Sequence, residues 1–356
     1  MFNQTGDQLT TEMTSPSPPF SNSYATTDNN TIMDSSTSSV SDQIAANTII
    51  SNANSVYSFF AGLGFLAGCF LLYSFIHTYR AQRRLAWLDC LLWAFCGFQL
   101  LLLFLSLHAV AYRPKYLMTT ALGCAALSFI INTASLCGLF ILVLMAYVLT
   151  FDPPSHALLR KPVVCAPLVI LTSFVISLLL AGIREPSHDL QETVTCFMDP
   201  AQAGVSYAAA KLCLVFLIPY ILQLGLLIGG CVRQWKSKGR FLSGSEEGPV
   251  FVTVTVVIFL CLLFYSVALV RGAQLHAAGK MSYREQAFLS TAEFVLFSGS
   301  SASLLLVLFM HRLCRESLQG VFRQLRGCCR SRGRTQPNRN ITPHIEITDT
   351  LQDTES

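Results

Sequence analysis

Six side chains that carry charge or direct a hydrogen bond interrupt long apolar stretches of this 356-residue chain: Asn132, Tyr207, Lys211, Tyr265, Arg271 and Glu293. Polar groups inside such stretches are costly and are retained facing an interior. Lys211 is a cation eight positions before Pro219, and Glu293 is an anion well inside a later apolar run. Three readings fit. The Lys211 ammonium receives an anionic group of a ligand, with Tyr265, Asn132, Glu293 and, nearer the surface, Tyr207 and Arg271 around it. Alternatively Lys211 and Glu293 neutralise each other, or the lysine stem snorkels to the headgroups. Asn132 also suits a hydrogen bond between helices.

Other reactive patterns are weak. The run Gly299-Ser300-Ser301-Ala302-Ser303 offers hydroxyls, but no histidine lies mid-span to act as a base. Small residues in such a helix are expected to serve close packing. No metal-ligand spacing, phosphate-binding loop or nucleic-acid motif occurs. No catalysis, cofactor, metal or nucleic-acid partner is therefore expected.

The elements that must position these side chains are membrane spans. Residues are 52% apolar and only 12% charged, and mean hydropathy is positive, which leaves too little polar surface for a soluble globule of this length. Apolar runs long enough to cross a bilayer fall near 53–78, 86–110, 117–150, 163–183, 207–232, 250–273 and 285–310. The third is the longest, because no charged side chain occurs from Leu117 to Phe151, roughly 35 residues against the ~20 that a spanning helix needs. The expected fold is an all-α membrane protein, a seven-transmembrane helix bundle with a short amphipathic eighth helix. Paired halves with matching interrupted helices, the mark of many transporters, are not evident.

Seven spans put the termini on opposite sides. The loops and tail on one side hold 17 of the 24 Lys and Arg residues, so that side is expected to be cytoplasmic and the N-terminus extracellular, in a multi-pass protein of the plasma membrane. The expected organisation is a disordered extracellular tail over 1–48, the bundle over 49–311, an amphipathic membrane-surface helix over 312–327 and a cytoplasmic tail over 328–356. The first tail is rich in Ser, Thr, Asn and Asp, lacks Lys and Arg, and carries glycosylation sequons at Asn3 and Asn29. The same sequon at Asn340 falls on the cytoplasmic side. In the amphipathic helix Cys314, Leu318, Val321, Phe322 and Leu325 share one face, with arginines elsewhere, which suits contact with membrane lipid. Cys328 and Cys329 follow, either palmitoylated as a second anchor or left as free thiols. Most of the 13 cysteines lie within apolar spans, whereas Cys124 lies at the outer end of the third span and Cys196 in the loop between the fourth and fifth. The outside is oxidising, so a Cys124–Cys196 disulfide is expected.

Seven spans, that cysteine pair, the amphipathic helix and the tail cysteines together resemble the rhodopsin-like G protein-coupled receptors over about residues 50 to 330. Phe216-Leu217-Ile218-Pro219 is similar to the family's Phe-x-x-Pro in the fifth helix. Phe259-Leu260-Cys261-Leu262-Leu263-Phe264-Tyr265 is similar to Phe-x-Cys-Trp-x-Pro-Tyr in the sixth, with Leu262 and Phe264 in place of the Trp and Pro. The switch motifs depart further. Aligned on Pro153, the family's Asp-Arg-Tyr becomes Met145-Ala146-Tyr147, and Asn-Pro-x-x-Tyr becomes Ala302-Ser303-Leu304-Leu305-Leu306. Ala146, Tyr147, Pro153 and Leu306 thus hold the positions that face the G protein. Cys69 stands where the first helix of the family has Asn, and Gly97 or Gln99 where the second has its sodium-site Asp.

The resemblance implies a receptor that passes an extracellular ligand signal to a heterotrimeric G protein, to arrestin, or to both, with the ligand between the third, fifth, sixth and seventh helices. The altered switch positions keep a second reading open: a non-signalling or scavenging receptor, or a membrane protein that regulates partners. A seventh-helix lysine is absent, which argues against a retinal Schiff base, and the N-terminal tail has no cysteine of the chemokine-receptor kind.

Overall fold

The computed structural model describes residues 30–83, 86–111, 118–151, 162–184, 193–195, 199, 203–237 and 248–332. Seven of its helices are long and apolar enough to cross a membrane, and the chain is a multi-pass membrane protein. They are α1 (Asn30–Gln82), α2 (Trp87–Ala111), α3 (Ala121–Thr150), α4 (Pro162–Ile183), α5 (residues 204–237), α6 (Gly248–Ala277) and α7 (Tyr283–Met310), followed by α8 (Arg312–Arg332). Helices are the necessary outcome for lipid-embedded segments, because every backbone N–H and C=O must find its partner inside the segment. α3 is the most enclosed of the seven, whereas α4 and α5 leave most of their apolar surface facing outward.

The seam between α1 and α7 is built from small residues. A Cβ placed on Gly64 would lie 2.7 Å from the Ser301 Cβ and 2.8 Å from its Cα, so the two backbones touch. One turn on, Gly68 faces Leu100 and Leu304. This Gly-x-x-x-Gly spacing is the usual device for close approach in lipid, where tails are as apolar as leucine and packing drives association. Ser301 and Ser303 are fully buried, and the Ser303 hydroxyl donates to the Gly299 carbonyl at 2.7 Å. The serine run of α7 is thus part of the packed seam, as its composition suggested. A hydrogen bond between the Tyr57 and Ser106 hydroxyls ties α1 to α2.

α5 is not uniform. Gly204–Lys211 is α-helical, Leu212–Leu217 is a π-helical stretch, and Ile218–Ser237 resumes α geometry. The Ile218 N–H reaches back five residues to the Cys213 carbonyl. Pro219 follows at once. It lacks an N–H and its ring crowds the carbonyl four residues earlier, and a widened turn is one way a helix absorbs such a residue.

At one end of the bundle β1 (Met118–Thr120) pairs antiparallel with β2 (Thr193–Thr195), Met118 opposite Thr195. This ribbon links the start of α3 to the connection between α4 and α5, and α8 lies at the other end. Cys124, just past β1, is disulfide-bonded. Its expected partner Cys196 follows β2 by one position but lies outside the described residues.

Two boundaries differ from expectation. Helix α1 begins at Asn30, within the segment assigned to a disordered tail ending at 48. Hydropathy marks only the apolar part of a helix; in the polar part before it, Asp42 pairs with Arg284 of α7 at 2.8 Å. The α8 helix runs to Arg332, past the expected end at 327, so the backbones of Cys328 and Cys329 are helical. Cys314 of α8 is buried and Leu318 half-buried, while Arg312, Arg315, Arg323 and Arg326 are exposed.

Candidate ligand site

Four helices and one connecting segment converge near the ribbon end. α3 supplies Asn132, α5 supplies Tyr207 and Lys211 one turn apart on its inward face, α6 supplies Tyr265 and α7 supplies Glu293. All five are at least nine-tenths buried. Between them sits Asp199, from the connection between β2 and α5, with its side chain wholly enclosed. Its Oδ1 accepts a hydrogen bond from the Tyr207 hydroxyl, and its Oδ2 accepts from the Tyr265 hydroxyl and the Lys211 ammonium. Lys211 also donates to Asn132 Oδ1 at 2.9 Å and lies 5.5 Å from the centre of the Tyr265 ring.

An ion pair so deep gives up the hydration of both partners, and that cost is offset only when every donor and acceptor is used. Here the carboxylate receives three donors and the ammonium has two acceptors and an aromatic face. Burial alone would push the Asp199 carboxyl up, but the Lys211 charge and the hydrogen bonds from Lys211, Tyr207 and Tyr265 outweigh it and hold the group below the usual carboxylate range. Asp199 is therefore ionised at neutral pH. On the α8 side of Lys211 and Asn132 lies a cavity of about 40 Å³, also lined by Gln99, Ser135 and Ser300. That exceeds the ~10–15 Å³ that one water needs.

Of the six residues expected to bind ligand, the structure gathers Asn132, Tyr207, Lys211 and Tyr265 around one carboxylate. Glu293 is buried in α7. Arg271 is elsewhere: it pairs with Glu285 at 2.7 Å, and its side chain is 60% exposed. The decisive residue, Asp199, was not among the candidates. It lies three positions after Cys196 in a polar connection, where an acid carries no signal to separate it from a solvated one.

The opposite end differs in character. Ala146 is fully buried and Met145 nearly so, both within the apolar core, while Tyr147 is half-buried with its ring 5.0 Å from that of Phe151. Leu306 is half-buried in α7, and Pro153 lies outside the described residues. So do Asn3 and Asn29, and so do the side chains of Cys328 and Cys329.

A second buried polar contact closes this end. His311, between α7 and α8, meets Asp89 of α2 through Nε2 at 3.2 Å and Cys314 through Nδ1 at 3.6 Å, with the Phe75 ring 5.5 Å away. Burial alone would push the imidazole down, but the Asp89 and Cys314 contacts outweigh it and raise His311 to about 9. A group raised above its unfolded value of ~6.5 contributes stability that is fully present below ~6.5 and lost as pH rises through the folded value. The unfolding midpoint of purified protein should fall between pH 6.5 and 9, and His311→Gln should flatten that slope. An equal slope in the variant would remove His311 as its source.

Compared with known proteins, the chain matches no family model and no curated protein sequence.

Proposed function

We propose that this chain is a cell-surface receptor of the rhodopsin-like G protein-coupled type, carrying an extracellular signal to a G protein, to arrestin, or to both. The observation that supports this reading best is the placement of Asn132, Lys211, Tyr207 and Tyr265 around one buried charged seat near the ribbon end of a seven-helix bundle. Intramembrane ionisable groups are expensive, and an interior cluster of them marks a site by default. The resemblance puts ligands between the helices that meet here. On this reading the ribbon end faces outward in the plasma membrane, with Asn3 and Asn29 glycosylated and Cys124 joined to Cys196. Helix α8 lies on the inner leaflet against membrane lipid, anchored by palmitoylated Cys328 and Cys329.

A second reading rests on Ala146. Where the family carries the arginine that reaches toward its G protein, this chain has a methyl group sealed in apolar packing. That favours a receptor that binds without coupling, acting as a scavenger or on membrane partners.

Ligand-free signalling in transfected cells separates the two. With a panel of G protein dissociation sensors and arrestin recruitment, wild type should exceed an empty-vector control on at least one channel, and Lys211→Met should abolish the excess at matched surface expression. Silence on every channel at high expression, with any candidate ligand, would sink the coupling reading in favour of the second. Ala146→Arg is a poor gain-of-function control, because it forces a guanidinium into the core.

A further inference from the structure

Lys211, Tyr207 and Tyr265 present a set of donors whose number and direction suit a carboxylate, and a carboxylate already fills it. One oxygen of Asp199 takes a phenol, the other takes a phenol and an ammonium, and the ammonium also donates to Asn132 Oδ1. The helices supply the donors and the connecting segment supplies the anion. Asp199 follows β2 by four positions and precedes α5 by five, so the segment is anchored near both ends and delivers its acid at high effective concentration.

We propose that this is a carboxylate-recognition site occupied by the chain's own Asp199, and that its external ligand is a carboxylate that takes the same seat by displacing that side chain. The idea rests on the receptor reading only in calling the displacing carboxylate a signal; the seat itself belongs to the fold. A small carboxylate should not compete with a tethered one, so a wild-type ligand must add contacts beyond the carboxylate. Lys211 and Asn132 border the 40 Å³ cavity, which offers such a ligand little depth.

Removing the internal anion should open the seat. Full-length protein is purified in nanodiscs and its thermal unfolding followed against sodium acetate, with sodium chloride and neutral acetamide as controls. Asp199→Ala should melt below wild type and regain several degrees with acetate, saturably, as expected of a ligand that binds only the folded state. Wild type and the Asp199→Ala/Lys211→Met double variant should not respond. If Asp199→Ala does not fold unaided, recovery of folded protein with acetate present throughout, and not with equal chloride, carries the same meaning. A folded Asp199→Ala protein with no acetate shift, a shift equal to that with chloride, an undiminished shift in the double variant, or no folded protein under either salt would overturn the proposal. Asp199→Asn melting like wild type would overturn it as well, since charge would then not matter at the seat. These readouts do not involve signalling, so a silent receptor leaves them standing, and their failure leaves the receptor reading intact.

Discussion

Lys211→Met should destabilise the folded protein by about 3–5 kcal/mol, the range for removing one partner of a buried ion pair. The cause is not the lost attraction itself. The Asp199 side chain is wholly enclosed, and without the ammonium it keeps two phenol donors but no counter-charge. It must then either stay ionised in a poor environment or take up a proton, which moves part of the loss toward higher pH. Asp199→Leu alone should also be costly, because it strands the ammonium. Combined, Lys211→Met/Asp199→Leu should recover part of the loss, since no buried charge is then left without its partner, while the Tyr207 and Tyr265 hydroxyls lose their acceptor. Melting of the four proteins in nanodiscs gives the coupling directly as a double-mutant cycle. Additive losses would show that the two residues do not act as a pair.

Gly64→Val should be the most damaging change outside the site, at about 3 kcal/mol, the upper end of overpacking costs. The first added carbon would meet the Cα of Ser301 at 2.8 Å, and a backbone atom cannot turn aside as a side chain can. The same helix provides its own control. Gly62, two positions away, has nothing within 4 Å of an added Cβ, so Gly62→Ala should be neutral or raise stability by ~0.5–1 kcal/mol through the lower backbone entropy of the unfolded state. The pair is compared by thermal unfolding and by the fraction reaching the cell surface. Similar behaviour of the two variants would mean that α1 and α7 are not in backbone contact.

The seven spans were legible because lipid solvation imposes one requirement on each: an uninterrupted apolar run of sufficient length. The polar first turns of α1 and the last turns of α8 were not, because hydropathy carries no signal in polar turns; Asp42, in that part of α1, pairs with Arg284, which lies 242 residues away. Four of the site residues were legible for the reason the spans were: a lysine, an asparagine and two tyrosines stand out against an apolar background. Arg271 stood out equally, yet it pairs with Glu285 at the surface, because a side chain near a span's end can turn either way. Asp199 was invisible, since its role comes from contacts 12 and 66 residues away, to Lys211 and Tyr265, and nothing periodic in a short connection announces them. The sequence offered Glu293 as a candidate partner for Lys211; the structure adds Asp199.

The π-helical stretch of α5 bears on how that helix is drawn on paper. A helical wheel advances 100° per residue, and each residue inserted by a π turn throws everything beyond it out of phase by that amount. A wheel started at Pro219 and run back toward Gly204 in uniform steps therefore points Tyr207 and Lys211 about a quarter-turn away from the direction they take. α5 is best drawn as two wheels, joined with a phase slip over Leu212–Leu217, and only the wheel started from Gly204 lays the donors of the carboxylate seat on the inward face.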